Sequence, residues 1–238
     1  MALAWSRFAE EMARRKPLFW LRDDDAVALT PALGRLVSLA QNHNVPLALA
    51  VIPDLAEPDL LARIGEGVSV LQHGCDHRNR AAPGEKKTEF PGHEGIPEAL
   101  DRLRLAHERL VSMGGSKVVP VVAPPWNRMR RELAAALPGI GITGLSCYGK
   151  EETIPGVRQI NTHVDIVAWR DGKRFIGDEE AVRLAMTYVP NNQPLGWLTH
   201  HAVHDPDAWT FLERLFALRG PRWARAAELF SYNRPAHG

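Results

Sequence analysis

Short, almost wholly apolar runs punctuate this chain, and stretches with a three-to-four-residue apolar period separate them. Seven runs read as strands: residues 17–21, 45–52, 67–71, 117–123, 140–146, 159–169 and 194–200. The run at 45–52 is apolar on both faces and stops at Pro53, as a strand in a covered parallel sheet should. The run at 159–169 alternates more loosely and is expected to break near His163.

Between the runs lie amphipathic helices. One over residues 2–16 would bury Leu3, Phe8 and Met12. Thr30 and Pro31 read as an N-cap and a first-turn proline, opening a helix with Leu33, Leu36, Val37 and Ala40 on one face. Residues 58–65 form a short helix. Pro97 opens a longer one, with Leu100, Leu103, Ala106, His107 and Leu110 aligned and Gly114-Gly115 closing it. A helix runs through Leu133 and Ala136, and another from a capping Asp178 to Tyr188. The chain is helical from Asp205, first with Trp209, Leu212, Leu215 and Phe216 on one face, then from Trp223 through Phe230. Residues 78–96 are polar and show no period, which predicts a long loop, either a substrate-facing lid or a mobile insertion. Strands alternating with helices, without repeat or linker, predict a parallel α/β fold closing into a barrel. It forms one domain over residues 1–238, with helix 2–16 and the helices within 206–231 packed on it.

Composition narrows the function classes. A net charge of +1, with no long basic run, offers no footprint for nucleic acid. No apolar run approaches membrane-spanning length. Two cysteines, Cys75 and Cys147, supply no disulfide framework. The N-terminal residues lack the basic-then-apolar order of a signal peptide, so a cytoplasmic protein is expected. Nothing in the chain speaks to its oligomeric state.

Chemistry collects at the ends of the strands. The run at 67–71 leads into Gln72-His73-Gly74-Cys75-Asp76-His77, where a turn at Gly74 would let two imidazoles face one point. Two imidazoles are good ligands for a zinc-type ion, which still wants a carboxylate and an open position for water. Carboxylates stand at Asp23-Asp24-Asp25, after the run at 17–21; three adjacent acids repel one another, and a cation would neutralise them. Pro124 to Arg128, His163 with Asp165, and His200 with His201 are further polar clusters, most of them at strand ends. In a parallel barrel the C-terminal strand ends share one face, where active sites form. Cys75 reads as a small buried neighbour of this site, and Asp76 as a partner for a histidine or a solvent-facing acid. His43, His93 and His107 read as surface or helix residues.

The order of an acid pair, HxxxH, a proline-rich turn with an aromatic, and Leu-x-His resembles the polysaccharide deacetylases, the family of the nodulation-type chitooligosaccharide deacetylases. The resemblance spans residues 18–201 through short motifs. It implies a distorted (β/α)7 barrel and metal-dependent hydrolysis of an N-acetyl amide, with one divalent ion, zinc before others. It makes Asp24 the catalytic base, Asp25, His73 and His77 the metal ligands, and His200 the acid. Pro125 and Trp126 then help to form the acyl pocket, and Asp23, Asn127, Arg128, His163, Asp165 and His201 are further candidates for contact with substrate.

Two departures bear on these roles. The family carries an apolar residue before the acid pair and a glycine after it; here Asp23 and Ala26 flank it, so a frame in which Asp23 is the base and Asp24 the ligand stays open. Where the family has an arginine that orients the base, this chain has Ala123, and Arg22 or Arg128 is left to substitute. A cytoplasmic setting favours a small N-acetylated sugar or sugar conjugate over a wall polymer. Hydrolysis of a cyclic amide or ureide, or a non-catalytic carbohydrate-binding relative, are the alternatives.

Overall fold

A run that is apolar on both faces has to be covered on both, and here the barrel interior covers one face and an outer layer of helices the other. The structure, a computed structural model, describes residues 2–189 and 193–231. Its first half contains α1 (Ala2–Arg15), β1 (Leu18–Ala26), α2 (Pro31–Asn42), β2 (Leu47–Val51), α3 (Leu60–Arg63) and β3 (Val68–Gln72). Then come α4 (Ile96–Gly114), β4 (Val118–Val122), α5 (Arg131–Ala136), β5 (Gly144–Leu145), β6 (Arg158–Gln159) and β7 (Val164–Asp165). A small hairpin, β8 (Val167–Ala168) and β9 (Arg174–Phe175), precedes α6 (Asp178–Tyr188) and β10 (Leu195–Thr199). The chain ends in α7 (Pro206–Phe216), β11 (Arg222–Trp223) and α8 (Ala226–Phe230).

The large sheet is parallel throughout. β1 lies between β2 and β10, and pairing continues from β2 through β3, β4 and β5 to β6, while β7 flanks β10. β6 and β7 belong to one extended segment that changes neighbours. Ile160 N donates to Leu145 O and Thr162 N to Cys147 O, on the β5 side; His163 N then donates to Gly196 O and Ile166 N to Leu198 O, on the β10 side. The expected break near His163 is this hand-over, and it completes the ring. With β6 and β7 taken as one strand, the fold is the expected distorted (β/α)7 barrel.

Local differences have local causes. Only Gly144–Leu145 of the run at 140–146 is strand, because a 3-10 turn over Leu137–Ile140 and a left-handed Gly141 (φ 82°) use up the preceding residues. Gly177, not Asp178, takes the N-cap of α6. Trp223 belongs to β11, which pairs with the start of β1, so the last helix begins only at Ala226. Thr30 caps α2 by accepting from Leu33 N at 3.2 Å, with Pro31 in the first turn.

Strand alternation divides the core in two. Trp20 on β1 packs inside the barrel with Ala48, Ala50, Leu71, Val121 and Ala123, and Leu229 and Phe230 of α8 join the same cluster. Gly196 on β10 has to be glycine: a Cβ there would sit 2.5 Å from Trp20 Nε1. The opposite parity, Phe19, Leu21, Leu49 and Trp197, packs outward against Phe8 and Met12 of α1 and Phe211 and Leu212 of α7. Each such fully buried side chain stabilises the fold by about 1.5–3 kcal/mol. Phe8 and Met12 are buried, whereas the side chain of Leu3 lies outside the described residues.

Candidate active site

β1 does not stop before its acids but carries Arg22, Asp23, Asp24 and Asp25 as strand. Alternation therefore sends Arg22 and Asp24 inward with Trp20, and Asp23 outward with Leu21. The register against β2 slips between Asp23 and Ala26, where three steps along β1 match two along β2. That bulge, with Asp25 at φ 69°, turns Asp25 back to the face that strict alternation would deny it. Asp24 and Asp25 consequently line one pocket of about 370 Å³, together with His73, His77 and His200. A cavity of about 430 Å³ at the opposite, N-terminal ends of β2 and β3 shares none of these groups.

Asp24 is buried and held by Arg22, itself fully buried. Arg22 Nη2 donates to Asp24 Oδ2 at 2.9 Å, and Nε lies 2.9 Å from Oδ1. The remaining guanidinium N–H groups go to Ser146 O and Oγ, both at 2.8 Å, and to Asn127 Oδ1 at 2.6 Å. The Nη2 hydrogen bond fixes one carboxylate oxygen, and Nε sets positive charge beside the other without a hydrogen bond to it. Of the two arginines open as substitutes for the one absent at Ala123, Arg22 is the one bonded to Asp24. Arg128 instead reaches outward to Lys87 O at 2.7 Å.

His73 follows directly on β3. Its Nδ1 donates to Ala123 O at 2.8 Å, which fixes the ring and turns Nε2 toward Asp25 Oδ1 at 3.1 Å. His77 Nε2 meets the same oxygen at 3.2 Å, and its ring leans on Trp126 with centroids 4.6 Å apart. The three donor atoms lie within 4.8 Å of one another. Burial alone would raise the Asp25 carboxyl, but His73 and His77 outweigh it and hold the carboxyl far below the usual range. Burial depresses His73, yet Asp24 and Asp25 leave it raised overall.

A buried carboxylate holds the loop between the two histidines in place. Glu89 accepts from Cys75 N and Asp76 N, each at 3.0 Å, and burial raises its own carboxyl. Gly74 (φ 63°) sits so close above it that a Cβ would lie 2.0 Å from Glu89 Oε2 and 2.6 Å from Pro125 Cδ. Asp76 faces Arg80, at 2.7 and 2.8 Å, rather than a histidine. Asp25, His77, Trp126 and Asn127 are four of the seven non-glycine residues with positive φ among the described residues, and all four line the pocket. Strain of this kind, about 1–3 kcal/mol per residue, persists where the surroundings over-determine it.

Across the pocket His200 Nε2 stands 4.0 Å from Asp24 Oδ2, and its Nδ1 3.9 Å from Asp165 Oδ1. Trp169 packs edge-on against the His200 ring and donates from Nε1 to Asp165 Oδ2 at 2.8 Å. Burial pushes the Asp165 carboxyl up, opposed by His200. Trp126, Asn127, Arg128, Tyr148 and Trp169 complete the rim.

Four sequence candidates lie off this pocket. Asp23 and His201 face outward and bond to each other through Oδ1 and Nδ1, with Thr199 Oγ1 and His201 N also donating to Asp23 at 2.7 and 2.9 Å. His163 sits where the chain changes partners; its Nδ1 accepts from Gly196 N at 3.1 Å, and Glu151 lies 3.5 Å from its Nε2. Pro125 is a buried floor under Gly74. Conversely, Tyr148, Trp169, Ser146 and Glu89 escaped notice in the sequence. Trp169, four residues after Asp165, carried a faint signal; Glu89, one acid in a polar loop, carried none.

No family model matches the chain, and no curated protein matches it in sequence. Solved structures do match. A CE4 esterase from Streptococcus mutans has a TM-score of 0.60 at 12% identity, covering 92% of this chain and 90% of that one. The peptidoglycan deacetylase PdaC from Bacillus subtilis gives 0.56 at 15% identity, over 90% and 89%. A mutant CE4 family pseudoenzyme with restored enzymatic activity gives 0.59 at 14% identity, over 92% and 69%. At these identities the likeness is one of fold: this chain has the barrel of the polysaccharide deacetylases.

Proposed function

We propose that this chain is a metal-dependent hydrolase of the polysaccharide deacetylase type, removing the acetyl group from an N-acetylated sugar or sugar conjugate. The observation that carries the reading is the convergence of three parts on one pocket: an Arg22-held Asp24, the Asp25, His73 and His77 donor set, and His200. The deacetylase and esterase activities of proteins sharing the fold support it.

The donors fit a divalent ion of zinc type. Two imidazole Nε2 atoms meet one carboxylate oxygen, His73 is fixed with its Nδ1–H on a carbonyl, and an open pocket leaves room for water and substrate. Such an ion supplies a Lewis acid for the amide carbonyl and a lowered pKa for its water.

The chain's own residues do the rest. Asp24 accepts a proton from the attacking water, its orientation set by Arg22. His200 gives a proton to the departing nitrogen, because an amide anion is a very poor leaving group. Trp169 packs edge-on against the His200 ring, and the Asp165 carboxylate that it anchors lies 3.9 Å from Nδ1. Water adds to the carbonyl carbon, the C–N bond breaks, and acetate and a free amine leave. Ala123 would favour a non-catalytic binder, but Arg22 supplies the guanidinium whose loss that reading rests on.

Protein purified without chelator is expected to carry about one equivalent of zinc or a similar ion, and to release acetate from at least one N-acetylated amino sugar. Asp25→Asn should lose the ion. Full activity in metal-free protein, or no acetate from any amino sugar with zinc-loaded protein, would remove the proposal.

A further inference from the structure

Beside the candidate active site lies a second cleft of about 410 Å³, and the two share Asn127, Arg128 and Tyr148 as a common rim. Their charges are opposite in character. The pocket is lined by Asp24, Asp25 and Asp165, whereas five cations line the cleft against two carboxylates, Glu85 and Glu152. The whole chain carries a net charge of only +1, so this is a local concentration.

Most of that positive charge is uncompensated. Arg131 pairs with Glu152 at 3.3 Å. Among the described residues, no carboxylate lies within ion-pair distance of Lys86, Arg128, Arg130 or Lys150. The two arginines are nevertheless held in position by main-chain carbonyls: Arg128 donates to Lys87 O at 2.7 Å, and Arg130 to Gly92 O at 3.0 Å and Glu94 O at 2.6 Å. Carbonyls orient a guanidinium without neutralising it. Arg130 Nε is buried with no hydrogen-bond partner. Fixed, unpaired cations along a cleft create a positive potential that draws anionic groups into it.

We propose that this cleft binds an anionic group, a phosphate or a carboxylate, carried by the substrate beyond the sugar whose acetamide lies in the pocket. The substrate is then an anionic N-acetylated conjugate, not a neutral oligosaccharide. This rests on the deacetylase reading and narrows its substrate class. Arg128 spans both cavities, so the link between acetamide and anion crosses its side chain and that of Tyr148.

The test compares acetate release from neutral N,N′-diacetylchitobiose, N-acetylglucosamine 1-phosphate and N-acetylmuramic acid. Zinc-loaded wild type should favour at least one anionic substrate in kcat/KM by on the order of tenfold, mainly through KM, and the favoured one tells phosphate from carboxylate. Raised salt should shrink the preference. A Lys86→Gln, Lys150→Gln double variant should lose most of it; both lysines are exposed, so folding is not at stake. Equal kcat/KM for neutral and anionic substrates, or a preference untouched by the double variant, overturns the proposal while leaving deacetylation intact. If no substrate releases acetate, calorimetry with the sugar phosphate and the muramic acid separates the ideas. Binding that the double variant weakens supports the anionic cleft while deacetylation fails, and no binding removes both.

Discussion

Two aspartate–histidine pairs bridge β1 and the turn that follows β10, their aspartates adjacent on β1 and their histidines adjacent just past Thr199, and they sit in opposite settings. Asp23 and His201 face the helices and satisfy each other, with Thr199 adding a third bond to the carboxylate. Burial alone would raise Asp23, but His201 outweighs it and holds the carboxyl low, while Asp23 in turn raises His201. Asp24 and His200 face the pocket and stay 4.0 Å apart, Asp24 held by Arg22 and the His200 ring packed on Trp169, with Asp165 3.9 Å from its Nδ1. A pair that saturates itself is a clamp between strands. Under the proposed function, the second pair, 4.0 Å apart and open to the pocket, is the one that acts on substrate.

The comparison breaks most visibly on the inner pair. Under the proposed function, Asp24→Asn and His200→Ala should each lower kcat by about 10²–10⁴-fold with the ion still bound, since general acid–base groups contribute that much. Elemental analysis beside the assay separates this from a lost metal. An active Asp24→Asn variant would move the base elsewhere, and Asp23 is too enclosed by its own partners to take over.

The outer pair should answer in stability. Asp23→Ala leaves His201 buried without its carboxylate partner, and removing one partner of a buried ion pair costs about 3–5 kcal/mol. Denaturant unfolding measures it, with metal content unchanged in the folded protein. A loss below about 1 kcal/mol would mean that the clamp is worth no more than an exposed pair.

The smallest effect sits just behind that clamp. His204 packs on Trp209, with neither ring nitrogen hydrogen-bonded. Burial depresses it to about 4, with Asp23 opposing and His201 adding. The folded protein therefore binds fewer protons here than the unfolded chain between about pH 6.5 and 4. The stability this group contributes is full above that window and is lost as pH falls through it, by up to about 3 kcal/mol. His204→Phe should flatten the acid side of the stability profile, and an unchanged slope would assign the acid loss to other groups.

The alternation of strands and helices, and the clustering of acids and histidines at strand ends, were legible because each is written in local periodicity. So was the proline-capped start of α2. The split of His200 from His201 was expected from strand alternation, but the two lie past Thr199, where the 3-10 turn His201–Val203 begins and sends His201 to the other side.

The frame of the acid triplet was not legible. β1 is buried on both faces, so its alternation carries no sign to say which parity faces inward; only packing of Trp20 against Gly196 and the interior alanines decides that. Asp25 reaches the pocket through a bulge against β2, and a bulge is a property of two strands. Arg22 was open as a substitute for the missing arginine, but its hold on Asp24 depends on Ser146, 124 residues away, taking the other guanidinium nitrogen. Glu89 supports the histidine loop by folding back on it, and the exchange of neighbours at His163 needs β5 and β10 on either side. Local sequence sets which residues share a face of one element. Register, bulges and buried ion pairs form between elements far apart in the chain, so tertiary structure alone determined which acid sees the pocket.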